Sequence, residues 1–199
     1  MYLSTILLLR QRMDFCSFAC NQPMNLTFLC AAPHVTIYFD SWNNWLYVEW
    51  EGALTLAAVQ YACLEVAQCF VKHAYPRVLN SNAQVTSMPW DVAPWLARHF
   101  FPGLRAAGIE QLAWVHAPSV RGYSMVAQVV QHLPELNIGL FADIEQATSW
   151  LQKTNPAYET GGTMLPRPLA EETLLARTVG HFKQYLADLG VSADAAAHA

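Results

Sequence analysis

The chain has 199 residues and a formal net charge of −4; hydrophobic residues make up 54% of it and charged residues only 13%. This composition suits one main folded domain and excludes a chain that is disordered throughout. The basic residues are few and scattered, which argues against a surface for nucleic acid or anionic membranes. The low charged fraction favours burial of part of the surface in a homodimer or against a protein partner.

In the first 23 residues, hydrophobic residues do not recur with the spacing seen in the rest of the chain. Their short apolar run, residues 3–9, precedes Arg10 and Arg12, so it makes a poor secretion signal. Residues 1–23 are therefore expected to be an extension that is disordered or untranslated, with Met24 as an alternative start. No segment has the roughly 18 to 20 apolar residues of a membrane span, and a cytoplasmic location is expected by default.

The next segment predicts a meander of three short strands, because branched and aromatic residues dominate residues 26–30, 35–39 and 45–50. Residues 40–44 supply the polar turn between the second and third strands. Thr55 then caps a predicted helix, since apolar residues recur after it at intervals of three and four. A short strand at 77–79 leads into a polar loop, and a second helix is expected from the cap Asp91 to Gly108.

The second half of the chain alternates strand and helix. Residues 111–116 and 138–141 are predicted strands, while residues 120–133 and 144–151 are predicted helices. Such alternation favours parallel pairing through right-handed crossovers, with the meander as an antiparallel edge.

The sequence therefore predicts an α/β domain over residues 24–153, with a mixed sheet and about four amphipathic helices. Residues 154–168, rich in Asn, Pro, Gly and Thr, are a predicted linker. Residues 169–199 are predicted to hold an extra C-terminal helix, ended by Gly190, and a tail. That helix either packs on the domain or takes part in a dimer.

Four segments carry a resemblance to a known family: WLYVEWEG at 45–52, VLNSN at 78–82, AWVHAP at 113–118 and FADIEQATSWL at 141–151. They resemble STAS-like bacterial proteins related to the anti-sigma-factor antagonists, and the order of elements fits the same family. The resemblance implies a SpoIIAA-like fold. It also implies partner switching, in which phosphorylation of a serine before a helix changes recognition of a kinase-type partner.

The corresponding segment here is residues 80–91, which lacks the family's Asp-Ser-Ser-Gly pattern and offers Ser81, Thr86 and Ser87 as hydroxyls. A phosphate on Thr86 or Ser87 would meet the unpaired N–H groups of a helix start, although Asp91 would oppose it. The alternative is that these hydroxyls only cap a turn. Trp90 is either an exposed recognition anchor or a packing residue.

Catalytic signals are weak. His99 and His116 lack a carboxylate at motif spacing, and Ser87, His116 and Asp91 offer only a distant triad. A hydrogen bond at a strand end is the simpler role for His116, which with Asn80 and Asn82 marks a candidate pocket.

No metal site or cofactor is predicted. The five cysteines lack metal-type spacing and are expected to be reduced thiols, with Cys63 buried in a helix. The leading hypothesis is a non-enzymatic STAS-like module that binds a protein partner. A small-ligand or lipid-binding protein and an unrecognised hydrolase are the alternatives.

Overall fold

The computed structural model describes residues 23–133, 136–153 and 166–198. Within them lies a six-stranded sheet whose strand order follows the sequence. The strands are β1 (Leu26–Ala32), β2 (Val35–Asp40), β3 (Trp45–Ala53), β4 (Arg77–Ser87), β5 (Gln111–Val115) and β6 (Asn137–Phe141). β1 to β3 pair antiparallel and β3 to β6 pair parallel. The predicted meander and the predicted parallel half are both confirmed.

Helices connect the parallel strands. α1 (Leu56–Lys72) follows β3 and begins at the predicted cap, because the Thr55 hydroxyl accepts a hydrogen bond from the backbone N–H of Ala58 at 3.2 Å. α4 (Val120–Gln131) joins β5 to β6, and α5 (Ile144–Lys153) follows β6. The Asp143 carboxylate caps α5 by accepting from the Gln146 backbone N–H at 2.8 Å.

The predicted helix from Asp91 to Gly108 is divided into three parts. They are α2 (Val92–Trp95), a π-helical turn (Leu96–Phe100) and α3 (Phe101–Ala106). Pro102 has no N–H with which to continue a regular α-helical ladder, so an unbroken helix is disfavoured here. Asp91 precedes α2 but its carboxylate makes no capping hydrogen bond.

The main core lies on one face of the sheet, beneath α1, the α2–α3 region and α4. Crossovers of one hand along a sheet ordered as in the sequence place their helices on the same face. α5 covers part of the opposite face, where Trp45 and Leu79 pack with Ala147 and Leu151.

β4 is longer than the sequence suggested. The polar residues after Leu79 were expected to form a loop, but the strand continues to Ser87 and only residues 88–91 lie between it and α2. Hydrogen bonds satisfy the Asn80 and Asn82 amides inside the fold, so these polar residues can remain in a strand. β5 pairs with β4 only as far as Ser81. Residues 82–87, here called the β4 overhang, therefore have a partner strand only on the β3 side.

α6 (Leu169–Asp188) packs against α1 and buries Leu175 and Leu186. Gly190, at a φ of 75°, follows its end as predicted. A short α7 (Ala193–His198) forms where a tail was expected. The predicted extension lies outside the described residues apart from Pro23, and the predicted linker does so apart from residues 166–168. Within the described ranges, no helix is long and apolar enough to cross a membrane.

Candidate functional site

Most of the residues singled out in the sequence lie at the carboxyl ends of the parallel strands. Asn80, Ser81 and Asn82 are on β4, and His116 directly follows β5. Trp90 lies in the short connection from β4 to α2. In open α/β sheets, ligands bind outside the carboxyl ends of the strands, where loops converge.

Trp90 is held on the surface by a neighbour that the sequence analysis did not identify. Its side chain is 51% exposed, and the guanidinium carbon of Arg121 lies 4.8 Å from the centre of its ring. The same guanidinium donates a hydrogen bond from Nη2 to the Met88 carbonyl at 3.1 Å. This cation–π contact and hydrogen bond fix the indole against the start of α4. Of the two alternatives for Trp90, the indole lies on the surface rather than in the core, and its role as a recognition anchor stays a prediction.

A local signal could have pointed to Arg121. The Ser119 hydroxyl accepts from the backbone N–H of Gly122 at 2.9 Å and thereby begins α4 directly after β5. A serine just after a predicted strand and before an apolar-periodic segment indicates such a cap. The first turn of α4 then carries Arg121 beside the β4–α2 connection. The pairing itself needs the strand order, which local sequence does not give.

His116 occupies the other side of the α4 start. Its Nδ1 lies 2.9 Å from the Ala117 carbonyl, which can only accept, so Nδ1 carries the proton and donates. The predicted strand-end hydrogen bond is confirmed. The half-exposed Tyr123 ring lies edge-on to the imidazole at 5.4 Å. Because Arg121 and Tyr123 are two positions apart, they point to different sides of α4.

The three candidate hydroxyls differ in accessibility. Ser81 is only 3% exposed and its Oγ accepts from the Ala83 backbone N–H at 3.4 Å, so a kinase could not reach it in this fold. Thr86 and Ser87 are exposed on the β4 overhang. The helical segment after them begins only at Val92, beyond residues 88–91, so neither hydroxyl lies in its first turn.

The distant triad is not assembled. No hydrogen bond joins Ser87, His116 and Asp91 in the part of the chain that the structure describes. The described ranges also bring together no group of three or more potential metal ligands. His99 stacks between Trp95 and Tyr185, at ring distances of 6.0 and 5.4 Å, which is a packing role.

The candidate pocket at the strand ends is small. Asn80 and Asn82 line a cavity of about 40 Å³ together with Trp50, Met88 and Trp114, whereas His116 is not among its lining residues. This volume suits a few water molecules. Pockets for drug-sized ligands are roughly 300–1,000 Å³, so this cavity is too small for a lipid.

A larger cleft lies elsewhere, between α1 and α6 beside β1. Its volume is about 470 Å³, and Leu29, Cys69, Lys72, His73 and Lys183 are among its lining residues. The sequence analysis missed it because the cleft exists only when α6 packs against α1.

Comparisons with known proteins give one weak structural similarity. No family model matches the chain, and no curated protein matches it. A solved structure that resembles it is that of an uncharacterised protein of the DUF3478 family from Shewanella loihica PV-4, with a SpoIIAA-like fold. The two are 14% identical, the similarity covers 64% of this chain and 93% of that chain, and the TM-score is 0.37. The similarity brings no activity, ligand or partner to this chain.

Proposed function

We propose that this chain is a non-enzymatic interaction module that binds a protein partner at the carboxyl ends of its parallel strands. The surface consists of Trp90, Arg121 and the β4 overhang. The observation that carries this proposal is the half-exposed indole of Trp90, held 4.8 Å from the Arg121 guanidinium. Rigid aromatic and arginine side chains supply a disproportionate share of binding energy at protein interfaces, since they bury large areas at little entropic cost.

The geometry also supports a particular kind of partner. One edge of the β4 overhang pairs with β3 and the other edge has no partner strand within the described residues. An extended peptide could add to that edge through main-chain hydrogen bonds and place an apolar side chain against Trp90. Arg121 is exposed and donates a hydrogen bond from Nη2 to the Met88 carbonyl. Its other N–H groups can therefore bind a carboxylate of the partner.

Phosphorylation of Thr86 or Ser87 would regulate this surface in our proposal. Either phosphate would add about −1.5 to −2 charges at neutral pH to the strand on which the partner docks. An acidic partner would then be repelled, whereas a basic partner would be recruited. Intact-mass measurement of protein from its own cells tests for the modification, because each phosphate adds a fixed mass.

The structure offers a matched control for the test of binding. Trp42 is 57% exposed, but it lies in the β2–β3 turn at the opposite end of the sheet from Trp90. Partners are isolated from native cells with the wild-type chain and identified, and each is then purified for direct measurement. We expect Trp90→Ala to weaken the partner's Kd by about 30-fold, the scale of an interface hot spot. Trp42→Ala should change it less than twofold. Equal effects of the two substitutions would contradict the proposal.

The same native preparation distinguishes the alternatives. A small molecule that stays bound in stoichiometric amount in native mass spectrometry would favour a ligand-binding protein, with the cleft between α1 and α6 as its site. Turnover of an ester or phosphoester that is lost in His116→Ala would favour a hydrolase. A mass of twice the chain would show the homodimer, and cell fractionation would test the proposed cytoplasmic location.

A further inference from the structure

Two cysteines far apart in the sequence meet at the edge of the sheet. Cys30 on β1 and Cys69 on α1 are separated by 39 positions, and their Sγ atoms lie 3.8 Å apart. Both residues are partly exposed, whereas the third described cysteine, Cys63, is fully buried. The distance permits a hydrogen bond between the thiols, and it is only about 1.8 Å longer than a disulfide bond.

The contact depends on an irregularity in β1. Phe28 pairs with Tyr38 and Cys30 pairs with Ile37, so Leu29 is an extra residue that forms a bulge. In a regular strand Cys30 would point to the same face as Phe28. With the bulge, both Leu29 and Cys30 pack towards the main core and meet α1.

We propose that Cys30 and Cys69 form a dithiol site that reacts with low-molecular-weight disulfides carrying carboxylates and closes reversibly into an intramolecular disulfide. The cleft of about 470 Å³ adjoins the pair, since Leu29 and Cys69 line it. Lys72 and Lys183 line the same cleft and favour an anionic reactant.

The contact between the two thiols favours Cys30 as the attacking thiol. The hydrogen bond from Cys69 lowers the pKa of Cys30, although burial and the Glu65 carboxylate act in the opposite direction. The pKa of Cys69 is raised, chiefly because its thiol donates to Cys30. Cys69 thus keeps its proton until the second step.

The reaction balances as two successive thiol–disulfide exchanges. Cys30 loses its proton, attacks one sulfur of the reactant RSSR and forms a mixed disulfide, and the released RS⁻ takes up that proton. Cys69 then transfers its proton to the second leaving group and attacks Cys30 Sγ, which displaces a second RSH. The protein loses two electrons and two protons, and RSSR becomes two RSH. The product links edge strand β1 to α1.

The test uses the full chain with Cys16 and Cys20 replaced by serine, so that Cys30, Cys63 and Cys69 are the remaining thiols. The protein is equilibrated with mixtures of reduced and oxidised glutathione, quenched in acid, alkylated and analysed by intact mass and peptide mapping. We expect a species in which Cys30 is linked to Cys69 and only Cys63 is alkylated, so that it is lighter than the fully alkylated protein by two alkyl groups, and a higher Tm than the reduced form.

Matched variants complete the test. Cys63→Ala should still form the species that lacks two alkyl groups, whereas Cys30→Ser should abolish it. Cys69→Ser should instead accumulate the mixed disulfide at Cys30. Full alkylation of Cys30 and Cys69 at every glutathione ratio would overturn the proposal, as would a disulfide that involves Cys63. Peptide mapping of the protein that retains both Cys30 and Cys69 decides whether the disulfide forms. The result therefore stands even if one of the substituted variants fails to fold.

Discussion

The indole N–H of Trp50 on β3 donates to the side-chain oxygen of Asn80 on β4 at 2.9 Å. The Asn80 side-chain N–H in turn donates to the Asn82 side-chain oxygen at 3.1 Å. This chain of hydrogen bonds ties two central strands together on the face that carries the main core. It also explains why an apparently loop-like sequence remains in the sheet, since both polar groups of the Asn80 side chain and the Asn82 side-chain oxygen have partners.

Replacing Asn80 by leucine tests that chain of hydrogen bonds. Asn80→Leu leaves the Trp50 N–H and the Asn82 oxygen without their partner, and we expect it to lower the free energy of unfolding by about 1–3 kcal/mol. Gln84→Leu, on the exposed part of the same strand, is the matched control and should change stability by about 0.5 kcal/mol or less. Urea unfolding measures both. A destabilisation of equal size in the two variants would show that the hydrogen bonds contribute nothing specific.

Local sequence predicted the elements whose causes are local. Thr55 and Asp143 begin helices through side chains that reach the backbone three residues later, so a short window contains the whole cause. The three strands of the meander likewise follow from their branched and aromatic residues. These features needed no knowledge of the tertiary structure.

The features that escaped prediction depend on distant partners. β4 extends to Ser87 because its hydrogen-bond partners come from another part of the chain. Trp50 donates to the Asn80 side chain, and β3 pairs with the strand. The bulge at Leu29 brings Cys30 to Cys69, whereas strict alternation would have separated them. Arg121 was missed as a site residue because its contact with Trp90 requires both β4 and α4 in place. Of the candidate site, the sequence therefore singled out Trp90, Thr86 and Ser87 but not Arg121, which holds the Trp90 indole.

Arg77 gives a second stability prediction. It is only 6% exposed, and its guanidinium donates to the carbonyls of Asn43, Asn44 and Leu151. It thereby joins the β2–β3 turn to the end of α5, and burial lowers its pKa although the Asp40 carboxylate acts in the opposite direction. Arg77→Met removes these donors.

We expect Arg77→Met to cost about 2–4 kcal/mol of unfolding free energy, because buried carbonyls lose charged donors. The exposed Arg98 on the π-helical turn supplies the comparison, and Arg98→Met should have little effect. Denaturant unfolding of the three proteins measures the difference. A cost below about 0.5 kcal/mol for Arg77→Met would contradict this account.

Arg167 should determine how firmly α6 is attached. Its Nε donates to the Phe70 carbonyl at 3.1 Å and its Nη2 to the Ala107 carbonyl at 2.7 Å, so it joins the start of α6 to both α1 and the end of the α3 region. Its ion pair with the exposed Glu171, at 3.6 Å, contributes little because solvent screens it. Arg167→Ala should therefore speed amide hydrogen exchange in α6 several-fold while β3 to β5 remain protected. Arg177 is exposed on the same helix, and Arg177→Ala should leave amide exchange in α6 unchanged. Unchanged protection of α6 in both variants would show that α6 does not depend on Arg167.

Tyr75 should make the free energy of unfolding depend on pH in the alkaline range. Its side chain packs against Phe39 and Phe70, at ring distances of 5.8 and 5.4 Å, and burial raises its pKa to about 12 from an ordinary value of 10. The unfolded chain thus loses this proton at lower pH than the folded chain. The stabilisation is complete below pH 10 and is lost progressively as the pH rises from 10 to about 12.

Tyr75→Phe removes the titrating hydroxyl and should make unfolding free energy fall less steeply across that interval than in the wild type. Part of the slope should remain, because burial also raises the pKa of Tyr47. Urea unfolding at several pH values from 9 to 12 measures the two slopes, and comparing slopes rather than absolute stabilities removes any pH-independent effect of the substitution. Identical slopes in the two proteins would show that Tyr75 ionises as readily in the folded state as in the unfolded chain.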